Sequence, residues 1–374
     1  MFYLTLALLN SLSPPIGQLE EPSIRIEREA WIMGTSVGVV IEAGSRELAI
    51  QASERVILEM ERVESLISTW RADSELSRVN RASVGVDLPI SDELFLILAK
   101  AEELSRQTRG SFSPFMGPLI EAWDLRGRGR IPAGEEIESA IQHSQKGAFN
   151  LNIEDQTVTR NFDISWIETG AFGKGVALSG LADVLGPSVS HAEINFGGQV
   201  WIYHRLPYGG SGRVVQIAHP SNRSESVLKV KLINESIATS GMGERFIEVE
   251  TEKYGHIIDP HTGMPAEAWG SVSVISQDPF EADALATALF VMGPDEGLKW
   301  AEEQQDIAAL FVRDIYGKLS MESTTFFQDS FIESQLNKED IRNDQSNWDV
   351  SSLFSFYLRT GVPQSVTRDC RTAN

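Results

Sequence analysis

Pro260 stands in the middle of Tyr254-Gly-His-Ile-Ile-Asp-Pro-His-Thr-Gly-Met-Pro265 and forbids a continuous helix through that stretch. Its ring fixes one φ, and Gly263 permits a sharp turn three residues later. These residues therefore form a rigid loop, and the loop carries His256, Asp259, His261 and Thr262. A histidine close to a carboxylate suits a general base or acid, which makes His256 and Asp259 candidates for catalysis. Two other uses are open. One is a plain surface turn; the other is a zinc site from His256, Asp259 and His261, whose spacing matches no H-E-x-x-H helix.

The segments on either side alternate between strand and helix patterns. Ile24 to Glu42 alternates and is rich in β-branched residues, with Met33-Gly-Thr35 in its middle, which predicts a strand pair or a bulged strand. Apolar residues at helical spacing predict a helix over 47–70 and another after Ser91, which has the makings of an N-cap. Thr108 to Pro118 and the basic, Gly-rich 126–131 read as loops. Strands are expected over 158–164, 192–198, 214–217, 227–232, 271–276 and 308–312, with helices over 176–185, 280–292 and 297–303. Ile237 to Gly243 reads as a small-residue loop. From about Thr325 the periodicity fades into a polar tail with an aromatic patch at 353–357. With no internal repeat and no linker, the pattern predicts one α+β domain, a mixed or antiparallel sheet with flanking helices.

A formal net charge of −21 excludes a nucleic-acid surface, since a phosphate backbone needs a basic face. An anionic substrate would need local help from a metal ion, a lysine or backbone N–H groups. The single cysteine, Cys370, can make neither an intramolecular disulfide nor a cysteine-built zinc site. The apolar run Phe2 to Leu9 is too short to span a bilayer. It fits the core of a signal segment with a cut near Ser11 to Ser13, although no lysine or arginine precedes it. Export is the expectation, with no transmembrane span.

Two further motifs offer chemistry. Gly170 to Gly175 fails the P-loop pattern, because Glu168 stands where its first glycine would be and Gly175 where Ser or Thr would be. It still places Lys174 and free N–H groups at a helix start, which suits a phosphate; a tight strand-to-helix turn is the bland alternative. Asp283 and Thr287 lie at i and i+4 on one helix face, and carboxylate with hydroxyl is a hard oxygen pair suited to Mg²⁺. Such a pair is usually solvated surface, but here its neighbours are Ala, Leu and Phe.

Taken in order, the motifs resemble the FAD:protein FMN transferases, the ApbE family, over roughly Arg28 to Val312. They are Met33-Gly-Thr35, Asp73-Ser-Glu-Leu-Ser-Arg-Val-Asn80, Gly110-Ser-Phe-Ser-Pro114, Gly170-Ala-Phe-Gly-Lys-Gly175, Asn195-Phe-Gly-Gly198, Ala238-Thr-Ser-Gly241, His256 to Gly263 and Ala282-Asp-Ala-Leu-Ala-Thr287. The resemblance implies a single ApbE-like domain over 26–324, after a leader (1–25) and before a tail (325–374). It implies FAD as substrate, Mg²⁺, and a client flavoprotein whose threonine takes FMN as AMP leaves. By motif, Asp283 and Thr287 side chains and the Ala171 carbonyl would hold Mg²⁺. Lys174 would lie near the phosphates, and His256 would be the base, oriented by Asp259. Met33, Trp70, Ser111, Phe112, Ser113, Glu168, Gly197, Gly198 and Ile257 would contact FAD. The chain departs from the family at Ser113 and Glu168, where Asp is usual, and at Gln199, where Asp or Asn is usual. Hydrolysis of FAD to FMN and AMP, or flavin binding without catalysis, are the alternatives.

Overall fold

The computed structural model describes residues 23–205, 212–241, 246–249, 252–304, 307–315, 317–328 and 330–334. The apolar run at 2–9, the aromatic patch at 353–357 and Cys370 lie outside the described residues.

The first two strands, Ile24–Ile32 and Thr35–Ala43, are joined by Met33 and Gly34 alone. Both turn residues have positive φ, 48° and 73°, as a type I′ hairpin turn requires. The second strand buries Val37, Val39, Ile41 and Ala43 on one face, the period-two pattern its sequence carries. It pairs next with Val189–Phe196, which turns through Gly197 and Gly198 into Gln199–His204. Ser236–Gly241, Gly270–Ser276, Ala308–Ile315 and Lys318–Ser323 complete an eight-stranded sheet in that spatial order. Every neighbouring pair is antiparallel, so of the two sheet forms expected the antiparallel one is found.

Helices cover one face. Arg46–Ile67 is capped by Ser45, whose Oγ accepts from the Leu48 N–H at 3.3 Å, and it buries Ala49, Ala52, Val56, Met60, Val63 and Ile67. Full burial of each large apolar side chain in that stripe contributes about 1.5–3 kcal/mol, so a charge at Val56 would break the packing. Pro279–Glu302 lies across Ser236–Gly241 and Gly270–Ser276. It is two helices joined at Gly293, φ 77°, followed by Pro294, in keeping with the two segments expected there. A three-stranded sheet of Arg213–Ala218, Ser226–Leu232 and Phe331–Ser334 covers the other face.

The structure differs from the sequence-based expectation in particular places. Of the loop expected over 237–243, residues 242–243 lie outside the described residues, and 237–241 belong to a central strand, Ser236–Gly241. Its Ala, Ser and Gly lack β propensity, yet their small size lets the helix pack directly on them. The strand expected over 158–164 ends at Arg160. Gly134–His143 is an unforeseen helix. The expected boundary at 324 falls before two ordered elements, the short helix Thr325–Gln328 and the strand Phe331–Ser334, with Phe327 buried in the second core. No helix among the described residues is long and apolar enough to cross a membrane.

Candidate active site

Asp283 is the acidic centre of the site. It lies one turn into Pro279–Glu302, a helix start capped by Asp278, whose carboxylate accepts from the Phe280 N–H at 2.9 Å. Only 4% of Asp283 is exposed. A buried carboxylate needs partners, and two come from the Gly-rich loop. Lys174 Nζ lies 2.8 Å from Oδ1, and the Gly175 N–H donates to Oδ2 at 3.0 Å. The close approach demands glycine at 175, because a Cβ there would lie 2.4 Å from the Pro279 carbonyl oxygen.

Thr287, one turn on, has its Oγ1 3.4 Å from Ser240 Oγ on the neighbouring strand and 3.5 Å from the Asp283 carbonyl. The buried carboxylate and the two hydroxyls are hard oxygen groups, the kind that suits Mg²⁺. The ammonium of Lys174 already marks Asp283 as a place that takes a positive charge. The residues present therefore fit the ion expected.

The Gly-rich loop is fixed from beneath. The Phe172 ring stacks on Phe280 at 5.3 Å and meets Phe112 edge-on at 5.8 Å. Phe112 is fully buried, so its ring supports the loop from below. Ser111 is buried as well, and Ser113 Oγ donates to the Ser144 carbonyl at 3.2 Å and accepts from the Phe115 N–H at 3.1 Å. The terminal methyl of Met33 lies 3.4 Å from where a Cβ on Gly173 would stand, which brings the first hairpin turn to the loop. The second hairpin turn is beside it, since the Gly197 N–H donates to the Ser36 carbonyl at 3.1 Å. Gln199 reaches across to the helix start, donating from Nε2 to the Pro279 carbonyl at 2.8 Å.

Glu168 closes the other end of the loop. Its Oε1 accepts from the Thr169 and Gly170 N–H groups, each at 3.0 Å, and its Oε2 pairs with Arg126. The Arg126 guanidinium lies between two indoles, 4.4 Å from the centre of Trp70 and 4.4 Å from that of Trp166.

The loop around Pro260 is held by its own backbone and one indole. Asp259 N–H donates to the Met264 carbonyl and Gly263 N–H to the Asp259 carbonyl, both at 2.8 Å, while Trp123 Nε1 donates to the Gly263 carbonyl at 2.7 Å. The Asp259 carboxylate meets His261 and Thr262. Oδ1 meets the His261 N–H at 2.9 Å and its Nδ1 at 3.0 Å, and Oδ2 accepts from Thr262 Oγ1 at 3.0 Å. The cause is local, because an Asp before Pro folds back on the groups two and three residues ahead. The other ring nitrogen of His261 faces the Arg109 carbonyl at 3.0 Å. Burial alone would lower this imidazole, but that carbonyl and Asp259 outweigh it and raise its pKa above the usual value. Both ring nitrogens of His261 are thus turned toward oxygen atoms of the chain itself. His256 and Ile257 are half-buried at the start of the same loop.

The sequence profile of the ApbE family matches residues 33–311. The chain belongs to the ApbE family. Curated relatives named FAD:protein FMN transferase include one from Vibrio cholerae, 28% identical over 315 residues, covering 82% of this chain and 93% of the relative. Another, from Klebsiella pneumoniae, is 28% identical and covers 76% of this chain and 89% of its own length. Among solved structures, the Thermotoga maritima ApbE protein aligns with TM-score 0.74 at 26% identity, covering 83% of this chain and 100% of that one. The apo Pseudomonas stutzeri flavinyl transferase ApbE aligns with TM-score 0.72 at 25% identity, covering 83% and 97%.

Within this ApbE chain, sequence reasoning overlooks Arg126 and Trp166. Arg126 reads only as part of a basic loop, and nothing local connects it to Glu168, 42 residues away.

Proposed function

We propose that this chain transfers the FMN part of FAD to a client protein and releases AMP. The observation that carries the reading is the corner where Asp283 meets Lys174, the Gly175 N–H and, one turn away, Thr287. Phosphoryl transfer is mostly a matter of position and charge, and this corner supplies both.

In the finer proposal, the Asp283 and Thr287 side chains and the Ala171 carbonyl hold Mg²⁺. When bound, that ion would offset charge on the diphosphate oxygens. Lys174, already aimed at Asp283, has the charge and reach to accompany the phosphates. His256 takes the proton from a threonine hydroxyl of the client as that oxygen bonds to the FMN-side phosphorus. The bond from that phosphorus to the bridging oxygen breaks, and AMP leaves with the bridging oxygen. Asp259 contributes at one remove, by locking the loop through His261 and Thr262. Trp70, Glu168 and Met33 line the approach for FAD. Export also belongs to this proposal and rests on the run at 2–9; sequencing the N-terminus of the mature protein tests it.

The test is incubation with FAD, Mg²⁺ and a client domain, followed by chromatography of nucleotides. AMP without matching free FMN is the expected result, and His256→Ala should slow it while FAD binding persists. AMP with equal free FMN would mean hydrolysis, and no AMP with FAD bound would mean a flavin-binding relative without catalysis.

A further inference from the structure

Arg126 does something that the transfer reaction as described does not account for. Trp70 is 73% exposed, an unusual state for so large an apolar ring unless it serves a contact. One face of it is nevertheless covered, by a guanidinium 4.4 Å from the ring centre. The same guanidinium is backed at 4.4 Å by Trp166, itself packed where any Cβ on Gly117 would collide with its ring. Its edges are fixed too. Arg126 Nη1 donates to the Thr69 carbonyl at 3.2 Å, and Nη2 pairs with Glu168. Glu168 in turn is pinned by the Thr169 and Gly170 N–H groups, in the turn that leads to Ala171 and Lys174. A planar, weakly hydrated cation suits such a stack, and the point charge of a lysine does not.

We propose that Arg126 is a positioning residue for FAD: anchored by Glu168, Thr69 and Trp166, it holds the exposed Trp70 indole as a preset stacking surface for one flat ring of that molecule. This deepens the transferase reading and rests on it for the identity of the ligand. An indole free to rotate loses side-chain freedom when a ring stacks on it, whereas one already backed by a fixed cation does not. The line of contacts from Trp70 through Arg126 and Glu168 to Gly170 then sets the distance between the stacked ring and the phosphate corner at Asp283. FAD has two flat rings, adenine and isoalloxazine, and the surface suits either by stacking alone.

The experiment uses the full chain and reads binding separately from transfer. FAD affinity is measured by quenching of flavin fluorescence, in the wild type, Arg126→Ala, Arg126→Lys, Trp70→Ala and the Arg126→Ala/Trp70→Ala double variant. Arg126→Ala should weaken FAD binding by about tenfold or more, the size of a lost stacking contact, with Tm little changed. Arg126→Lys keeps the charge but not the plane, and should weaken binding by an intermediate factor; it carries the test if Arg126→Ala fails to fold. Because Arg126 acts through Trp70, the double variant should bind FAD little worse than Trp70→Ala alone. Titrating AMP and FMN separately by calorimetry identifies the ring: whichever loses affinity in Arg126→Ala is the one stacked on Trp70. FAD affinity within about twofold of wild type in Arg126→Ala, or losses that multiply in full in the double variant, would overturn the proposal. A wild-type chain that binds FAD without releasing AMP refutes the transfer reading and leaves this one standing; a wild-type chain that does not bind FAD refutes both.

Discussion

Gly175→Ala is the smallest change that should disable the site. An added Cβ would stand 2.4 Å from the Pro279 carbonyl oxygen, 2.7 Å from Phe280 Cα and 2.9 Å from the Pro279 carbonyl carbon. All three are backbone atoms at a helix start, so no side chain can swing away to make room. Ordinary contact begins near 3.4 Å, so the helix Gly173–Ser179 and the start of Pro279–Glu302 must separate by about 1 Å. That shift acts directly on the Gly175 N–H to Asp283 bond of 3.0 Å and on the Lys174 to Asp283 pair of 2.8 Å. Overpacking of this kind costs roughly 1–3 kcal/mol, which for a domain of this size lowers Tm by roughly 3–10 °C. A 1 Å misplacement at reacting groups costs on the order of a hundredfold in rate. Thermal unfolding and AMP release, measured on the same preparation, give both numbers. Wild-type turnover with unchanged Tm would refute the claim that glycine is needed for the approach of the two helices.

Asp283→Ala should lower turnover by at least about a hundredfold with the fold retained, since Lys174 is partly exposed and can turn toward water; near-normal Mg²⁺-dependent AMP release in that variant would remove Asp283 from the site. His261 should make the loop around Pro260 sensitive to pH. Its folded pKa is raised, so the stability it contributes is fully present below the unfolded imidazole value and is lost as pH rises through the folded one. Hydrogen exchange across 256–265 should therefore speed up above that range in the wild type and show no such step in His261→Gln. His191 should act in the opposite direction. Burial first, then Arg213 and His204, hold it down to about 3, so it stays neutral when folded while the unfolded ring takes up a proton near its ordinary value. Stability is then lost as pH falls from about 6.5 toward about 3, and His191→Phe should flatten Tm over that window.

The parts of the site that lie on one element are legible in the amino-acid sequence. Asp283 and Thr287 share a helix face because their spacing is helical, and Lys174 with Gly175 follows from a glycine-rich turn into a helix. Contacts between elements are not legible in this way. Nothing in the sequence pairs Gly175 with Pro279, or stacks Arg126 between Trp70 and Trp166, because those meetings are decided by how three segments pack. Asp259 is legible as the carboxylate of the turn at Pro260, but its contacts with His261 and Thr262 are not. The fold-back of an Asp-Pro turn makes those two contacts. Ser236–Gly241 escapes a strand reading for a different reason: its residues suit the helix that lies on them, so its composition describes the neighbour's needs better than the strand's. Phe331–Ser334 is likewise a strand by virtue of the edge of Ser226–Leu232, with which it pairs.

Intact-mass spectrometry of a client domain, after incubation with this chain, FAD and Mg²⁺, tests the central claim most directly. The account predicts that the client gains the mass of FMN at a single threonine, that AMP appears in equal amount, and that the Asp283→Ala chain produces neither. A client of unchanged mass beside stoichiometric free FMN and AMP would contradict it, and would make the same corner of Asp283, Thr287 and Lys174 the site of a hydrolase.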